Sequence, residues 1–134
     1  ELTVSLIPGF ADVDAVVGAT RVVPGSPRST DYERSAEPAE SIPATLLAGD
    51  ALIYNGRVFH GGGANQTVDR WRWALHLSFV VGWLTPEEAA SQIYPASLIE
   101  HRSPRVKRLL GMSSFNPYPG RGGRLWLKDF AEWI

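Results

Sequence analysis

No cysteine occurs among the 134 residues, which excludes disulfides, thiolate metal sites and a cysteine nucleophile. Any metal held by this chain must take His, Asp or Glu as its protein ligands. Charge of one sign is also lacking: 13 Lys and Arg face 14 Asp and Glu, for a formal net charge of -1. That balance gives no electrostatic reason to expect nucleic acid or an acidic membrane as a partner. No apolar run approaches the length of a membrane span, and no signal-peptide pattern opens the chain, so a cytoplasmic setting is the default expectation. Histidine is scarce, with three residues, and none begins a His-x-Asp or His-x-Glu pair. Two positions after His60, His76 and His101 stand Gly62, Ser78 and Ser103.

What is present is ordinary for a globular protein: 44% hydrophobic and 20% charged residues, in a chain with room for one domain and a real core. Leu2 to Ile7 is β-prone from the outset and is closed by Pro8-Gly9. Because Glu1 is not an initiator Met and the strand has no lead-in, the chain is expected to begin inside a domain. A short acidic loop around Asp12 and Asp14 leads to a second β-prone run, Thr20 to Val23, stopped by Pro24-Gly25-Ser26-Pro27. Residues 28 to 44 are polar and carry Pro38 and Pro43, which predicts a long exposed loop of the kind that often covers a site.

Gly49-Asp50 reads as a turn into a buried strand, Ala51 to Tyr54, and Asn55-Gly56 as a hairpin signal with Arg57 to His60 returning. The run Gly61-Gly62-Gly63 permits positive φ or a close backbone approach. Arg70 to Val81 is the longest strand predicted; alternation places Trp71, Trp73, Leu75, Leu77 and Phe79 on one face and Arg70, Arg72, Ala74, His76 and Ser78 on the other. Thr85-Pro86-Glu87-Glu88 carries helix-start chemistry, with Thr85 as N-cap, and Ser103-Pro104 opens a second short helix ending near Gly111. The basic cluster His101, Arg102, Arg105, Lys107 and Arg108, adjoined by Glu100, reads as a solvated helix face. The tail beyond it mixes Gly and aromatic residues without a clear period. Strands first and short helices last imply a β-sandwich or barrel with appended helices.

Of the three histidines, His101 reads as a surface residue and His76 as a hydrogen-bonded structural residue in mid-strand. His60 ends a strand and enters the glycine run, where a rigid scaffold hands a side chain to a site; by itself this position serves structure or function equally. Arg70 and Arg72 share a face, so periodicity cannot separate them.

The segment Gly49-Asp-Ala-Leu-Ile-Tyr-Asn-Gly-Arg-Val-Phe-His-Gly-Gly-Gly-Ala-Asn65, followed by Arg72 and Trp73-Ala-Leu-His-Leu-Ser-Phe79, resembles the second half of the phytanoyl-CoA dioxygenase family of iron oxygenases. Gly18-Ala-Thr-Arg-Val-Val-Pro-Gly-Ser26 is similar to that family's preceding strand and loop. Gly82-Trp83 with Pro86-Glu87-Glu88 is similar to the segment after its last core strand in bacterial members. The resemblance spans most of residues 2 to 111. It implies an Fe(II)- and 2-oxoglutarate-dependent dioxygenase carrying out a hydroxylase-type oxidation of a small molecule with O2. The iron would sit in a triad of two His and one carboxylate, with His60 as the later His. Arg72 would grip the distal carboxylate of 2-oxoglutarate through paired hydrogen bonds that Lys cannot reproduce, with Arg70 as the alternative. Thr20 matches a position that hydrogen-bonds the co-substrate in several relatives, and equally suits a plain strand residue. Asn65 is expected to order its own loop.

Val17 stands where relatives have Asn before Gly-Ala-Thr, Pro27 where they have His after Pro-Gly-Ser, and one residue is added between His60 and Arg72. The His-x-Asp pair that supplies the first two ligands in the family is absent, so it is expected upstream of Glu1. The implied fold is mainly β: a double-stranded β-helix, or jelly roll, incomplete at the N-terminus and followed by short helices. Residues 1 to 134 would form the C-terminal portion of a single oxygenase domain, with core strands over about 1 to 82 and a helical and loop tail over about 83 to 134. The alternative is a non-catalytic cupin-like domain that binds a small molecule.

Overall fold

The computed structural model describes residues 2–31 and 33–116; the Gly- and aromatic-rich tail from residue 117 onward lies outside them. The fold is β-rich, with few and short helices. The chain divides into two compact units, Glu1–Ser78 and Phe79–Ile134.

In the first unit, β1 (Thr3–Pro8) pairs antiparallel with β4 (Ala51–Asn55), with Ser5 opposite Tyr54. β6 (Leu77–Val80) lies on the other edge of β1, giving the order β4-β1-β6. Cross-strand partners share a face, so Ser5 and Tyr54 look the same way; both are buried, and the Ser5 hydroxyl reaches that of Ser78 at 3.4 Å. A second sheet has the order β3-β2-β5, from β2 (Arg21–Val22), β3 (Ile42–Pro43) and β5 (His60–Gly61). Val13, Val17 and Ala19 form a buried apolar cluster with Leu46 against it. Val17, one of the positions where the sequence departs from the family it resembles, is buried in this cluster, which suits an apolar side chain.

Three expectations are corrected in this unit. Asn55-Gly56 does turn the chain, with Val58 N–H donating to the Asn55 carbonyl at 3.1 Å. The returning segment, however, bonds to β2 rather than to β4: Val23 N–H donates to the Phe59 carbonyl, and Val22 pairs with His60. The turn is a crossover between sheets: β4 pairs with β1 in the first, and the returning segment pairs with β2 in the second. The polar stretch 28 to 44 is mostly irregular but ends in β3, which pairs with β2. Arg21 fastens it there, its Nε donating to the Ser41 hydroxyl at 2.7 Å. The strand expected over 70 to 81 is also shorter. Before β6 its only ladder contact is a bridge between Ala74 and Gly9.

The alternation over that stretch nevertheless holds in space. Arg70 meets Asp14, Arg72 meets Gly18, His76 meets Tyr54 and Ser78 meets Ser5. The odd positions Trp71, Trp73 and Leu75 are 76%, 71% and 48% exposed, an apolar face of the kind that drives association.

In the second unit, α1 (Ala90–Ile93), α2 (Ala96–Ile99) and α3 (Pro104–Leu109) are each one or two turns long. Ile99 and Met112 are buried, and Trp83 meets Phe115 edge-on at 5.8 Å. Ser103 caps α3 by accepting from Val106 N–H, and Gly111 ends that segment at φ 70°, as its sequence predicts. Thr85 is not an N-cap: α1 begins only at Ala90, after Ala89, which offers no side-chain cap. His101 is exposed and meets Glu100 at 3.0 Å. No helix among the described residues is long and apolar enough to cross a membrane.

Candidate functional site

His60 is delivered by β5, and the segment before it is held firmly. The Ser26 hydroxyl accepts from Phe59 N–H at 2.9 Å while donating to the Val23 carbonyl at 2.7 Å. The His60 Nδ1 lies 2.8 Å from the Val58 carbonyl oxygen. A carbonyl only accepts, so Nδ1 is the nitrogen that donates, and in a neutral imidazole that arrangement leaves the lone pair on Nε2. A histidine that ligates a metal is held in this manner, one nitrogen bonded to a backbone carbonyl and the other left for the metal. The His60 ring packs on that of Tyr54, with centroids 4.6 Å apart and planes tilted by 54°. Tyr54 belongs to the first sheet and His60 to the second, so the site lies where the two come together.

Within the glycine run only Gly63 is in close approach, since nothing lies within 4 Å of a Cβ at Gly61 or Gly62, and none of the three has positive φ. Gly18 does, at φ 91°, and a Cβ there would fall 2.6 Å from the Gly63 carbonyl oxygen. The loop after His60 is thereby pressed against the turn that precedes β2. Asn65 orders that loop as expected, donating to the Arg70 carbonyl at 2.8 Å and accepting from Thr67 N–H at 2.8 Å.

The two arginines have different surroundings. Arg70 Nη2 donates to Asp14 Oδ2 at 3.0 Å, which occupies its charge. Arg72 Nη1 donates to the Gly18 carbonyl at 2.6 Å and lies 3.5 Å from the Thr20 hydroxyl oxygen. It forms no ion pair among the described residues. Thr20 stands just before β2 and continues its pairing with the β3 segment, its carbonyl accepting from Ala44 N–H at 2.8 Å, and Val22 is the cross-strand partner of His60. Alternation and cross-strand pairing therefore put Thr20, Val22 and His60 on one face of the second sheet. Arg72 approaches that sheet at Thr20.

Asp14 organises the turn that carries these contacts. Its Oδ1 accepts from the backbone N–H of Val16 at 2.9 Å and of Val17 at 2.8 Å. The Val17 N–H and the Arg70 guanidinium hold its carboxyl below the ordinary value of 3.8. A depressed carboxylate contributes stability above its unfolded pKa and loses it as pH falls through the folded one. The stability gap between wild type and Asp14→Ala is therefore expected to be widest near neutral pH and to narrow below about pH 3.8. Thermal midpoints of both proteins across that range measure it; a gap independent of pH would remove the carboxylate from the account.

Sequence reasoning passes over two participants. Tyr54 reads from sequence only as part of a strand, yet its ring lies against His60 and its hydroxyl is 3.3 Å from His76 Nε2. A signal exists: His76 falls on the same alternating face as Arg72. Asp14 reads as loop acidity, although an Asp followed by backbone N–H groups two and three residues on is the pattern of an Asx turn.

Among the described residues, the second sheet thus carries His60 and is approached at the Thr20 hydroxyl by the Arg72 guanidinium, which has no carboxylate partner there. The family model of phytanoyl-CoA dioxygenase (PhyH) matches residues 1–74. Dioxygenase ALT11 of Alternaria alternata is 37% identical over 115 residues, covering 86% of this chain and 37% of that protein. Dioxygenase sphC of Aspergillus fumigatus is 33% identical over 132 residues, covering 98% and 35%. Fe(II)/2-oxoglutarate-dependent dioxygenase nvfF of Aspergillus novofumigatus is 34% identical over 111 residues, covering 83% and 37%. The chain belongs to the phytanoyl-CoA dioxygenase family, and it spans little more than a third of the length of these relatives.

Proposed function

We propose that the complete protein is an Fe(II)- and 2-oxoglutarate-dependent dioxygenase acting on a small molecule, and that this chain supplies His60 as one iron ligand and Arg72 and Thr20 as the co-substrate anchor. The observation that carries the reading is the state of Arg72: a guanidinium without a carboxylate partner among the described residues, steadied by Gly18 and beside Thr20. A dicarboxylate fits there, its distal end taking two charge-assisted bonds from Arg72 and a third from the Thr20 hydroxyl. His60 fits iron, an imidazole suiting that metal. When bound, iron supplies the oxygen chemistry, coupling decarboxylation of 2-oxoglutarate to oxidation of the substrate. The chain's own residues bind and orient.

No group of three His, Asp or Glu side chains comes together among the described residues. On this reading the other two ligands are a His-x-Asp pair outside this sequence. Both compact units belong to one oxygenase domain built on a jelly roll, to which β1 to β6 contribute. The same lack of a three-ligand group favours a second reading, a cupin-like binding domain without catalysis; an upstream His-x-Asp pair separates the two.

The test is binding of 2-oxoglutarate to the complete protein by calorimetry. Charge-assisted bonds contribute about 1.5 to 3 kcal/mol each, so Arg72→Lys, which keeps the charge but loses the planar fork, is expected to weaken binding about tenfold or more. Arg70→Lys should change it little, since Arg70 already serves Asp14. The reverse pattern would move the anchor to Arg70.

A further inference from the structure

Three features of the first unit stand apart from the ligand and anchor just described. An opening of about 350 Å³ is bordered by Ser26, Ser29, Asp31, Arg57 and Phe59, but Ser26 is already bonded on both sides and Arg57 Nη2 donates to the Ser29 carbonyl. Arg34 sits over the Phe59 ring at 5.9 Å and pairs with Glu40, which fastens an exposed loop without presenting a reactive group. The third is the chain of rings His60, Tyr54 and His76, and it leads further.

Tyr54 is 8% exposed, so its hydroxyl needs a partner, and His76 Nε2 at 3.3 Å is the one it has. The two rings are nearly parallel, at 12° with centroids 6.4 Å apart. The other side of Tyr54 meets His60 in the tilted geometry that aromatic pairs favour. Backbone pairing fixes where His60 starts, with Val22 opposite it. Pairing does not fix the rotation of an exposed imidazole about its side-chain bonds. Two contacts do: the Val58 carbonyl at Nδ1 and the Tyr54 ring against the face. Tyr54 is itself kept from turning by His76.

We propose that Tyr54 and His76 form a positioning pair for His60, holding its imidazole in the orientation in which Nδ1–H meets Val58 and Nε2 is offered outward. The pair touches neither co-substrate nor iron and acts through His60 alone. The proposal rests on the reading of His60 as a ligand only for its consequence; the orientation itself is a property of the metal-free chain.

Long-range proton–nitrogen NMR of the His60 ring in the complete, metal-free protein, with the imidazole neutral, reads that orientation. Wild type is expected to show one tautomer, protonated at Nδ1. Tyr54→Leu should give a mixture of tautomers and an Fe(II) affinity lower by about tenfold, the scale at which residues supporting a ligand act. Tyr54→Phe keeps the ring but frees it from His76, and His76→Leu does the same from the other side; both should shift the tautomer balance in the same direction by less. An unchanged tautomer in His76→Leu and Tyr54→Phe overturns the proposal, and these two variants decide it if Tyr54→Leu does not fold. A shifted tautomer in a protein whose wild type binds no Fe(II) supports the pair and overturns the metal role of His60. Arg72→Lys should leave the His60 signal unchanged while weakening 2-oxoglutarate; a change there would mean that the ring responds to any disturbance of the site, which also overturns the proposal.

Discussion

Replacing His60 with Ala in the complete protein is expected to abolish Fe(II)-dependent consumption of 2-oxoglutarate. A facial triad has three protein ligands and no spare one. Among the described residues no other His, Asp or Glu joins His60 in a group that could stand in. Removing a residue that merely supports a ligand costs about 10 to 100-fold in metal affinity, so loss of the ligand itself should cost more. His76→Ala gives the contrast. That side chain is hydrogen-bonded to Tyr54 and approaches the site only through it, so activity should fall but persist. Turnover by His60→Ala within a few-fold of wild type would mean that another residue holds the iron.

The 134-residue chain alone should show neither stoichiometric Fe(II) binding nor turnover of 2-oxoglutarate, and it should associate in solution. Its described residues present His60 without two further ligands. They also leave Trp71, Trp73 and Leu75 open on one side of the segment leading into β6, and apolar patches of that kind invite association. Sedimentation and a succinate assay on the expressed chain measure both. Turnover by this chain would require ligands from outside the described residues or from a second copy of the chain.

Much of the local structure around the proposed site is legible in the sequence because it rests on local chemistry. The strands at Thr3–Pro8 and Ala51–Asn55 coincide, to within a residue or two, with β-prone runs bounded by turn residues. The alternation over residues 70 to 78 correctly sorts the arginines, His76 and Ser78 from the tryptophans. It overstates the strand, because a period of two records which way a side chain points and not whether a neighbour is available to pair. Only Ala74 and the residues of β6 find one. Asn55-Gly56 misleads in a similar way. A turn is local, but whether it closes a hairpin or crosses to another sheet depends on the strand that receives the returning segment, here β2, far earlier in the chain. Thr85-Pro86 carries helix-start residues with no helix directly behind them, since the first turn forms only from Ala90. The choice between Arg70 and Arg72 could not come from periodicity at all. What distinguishes the two in space is Asp14, a residue distant in sequence whose carboxylate Arg70 meets and Arg72 does not.

The most direct test is equilibrium dialysis of Fe(II) and 2-oxoglutarate together, without oxygen, against the complete protein. The account predicts one equivalent of each bound by wild type. It predicts that His60→Ala loses the iron and that Arg72→Lys keeps the iron while releasing the 2-oxoglutarate. Equal binding of both by all three proteins, or none by wild type, would contradict it.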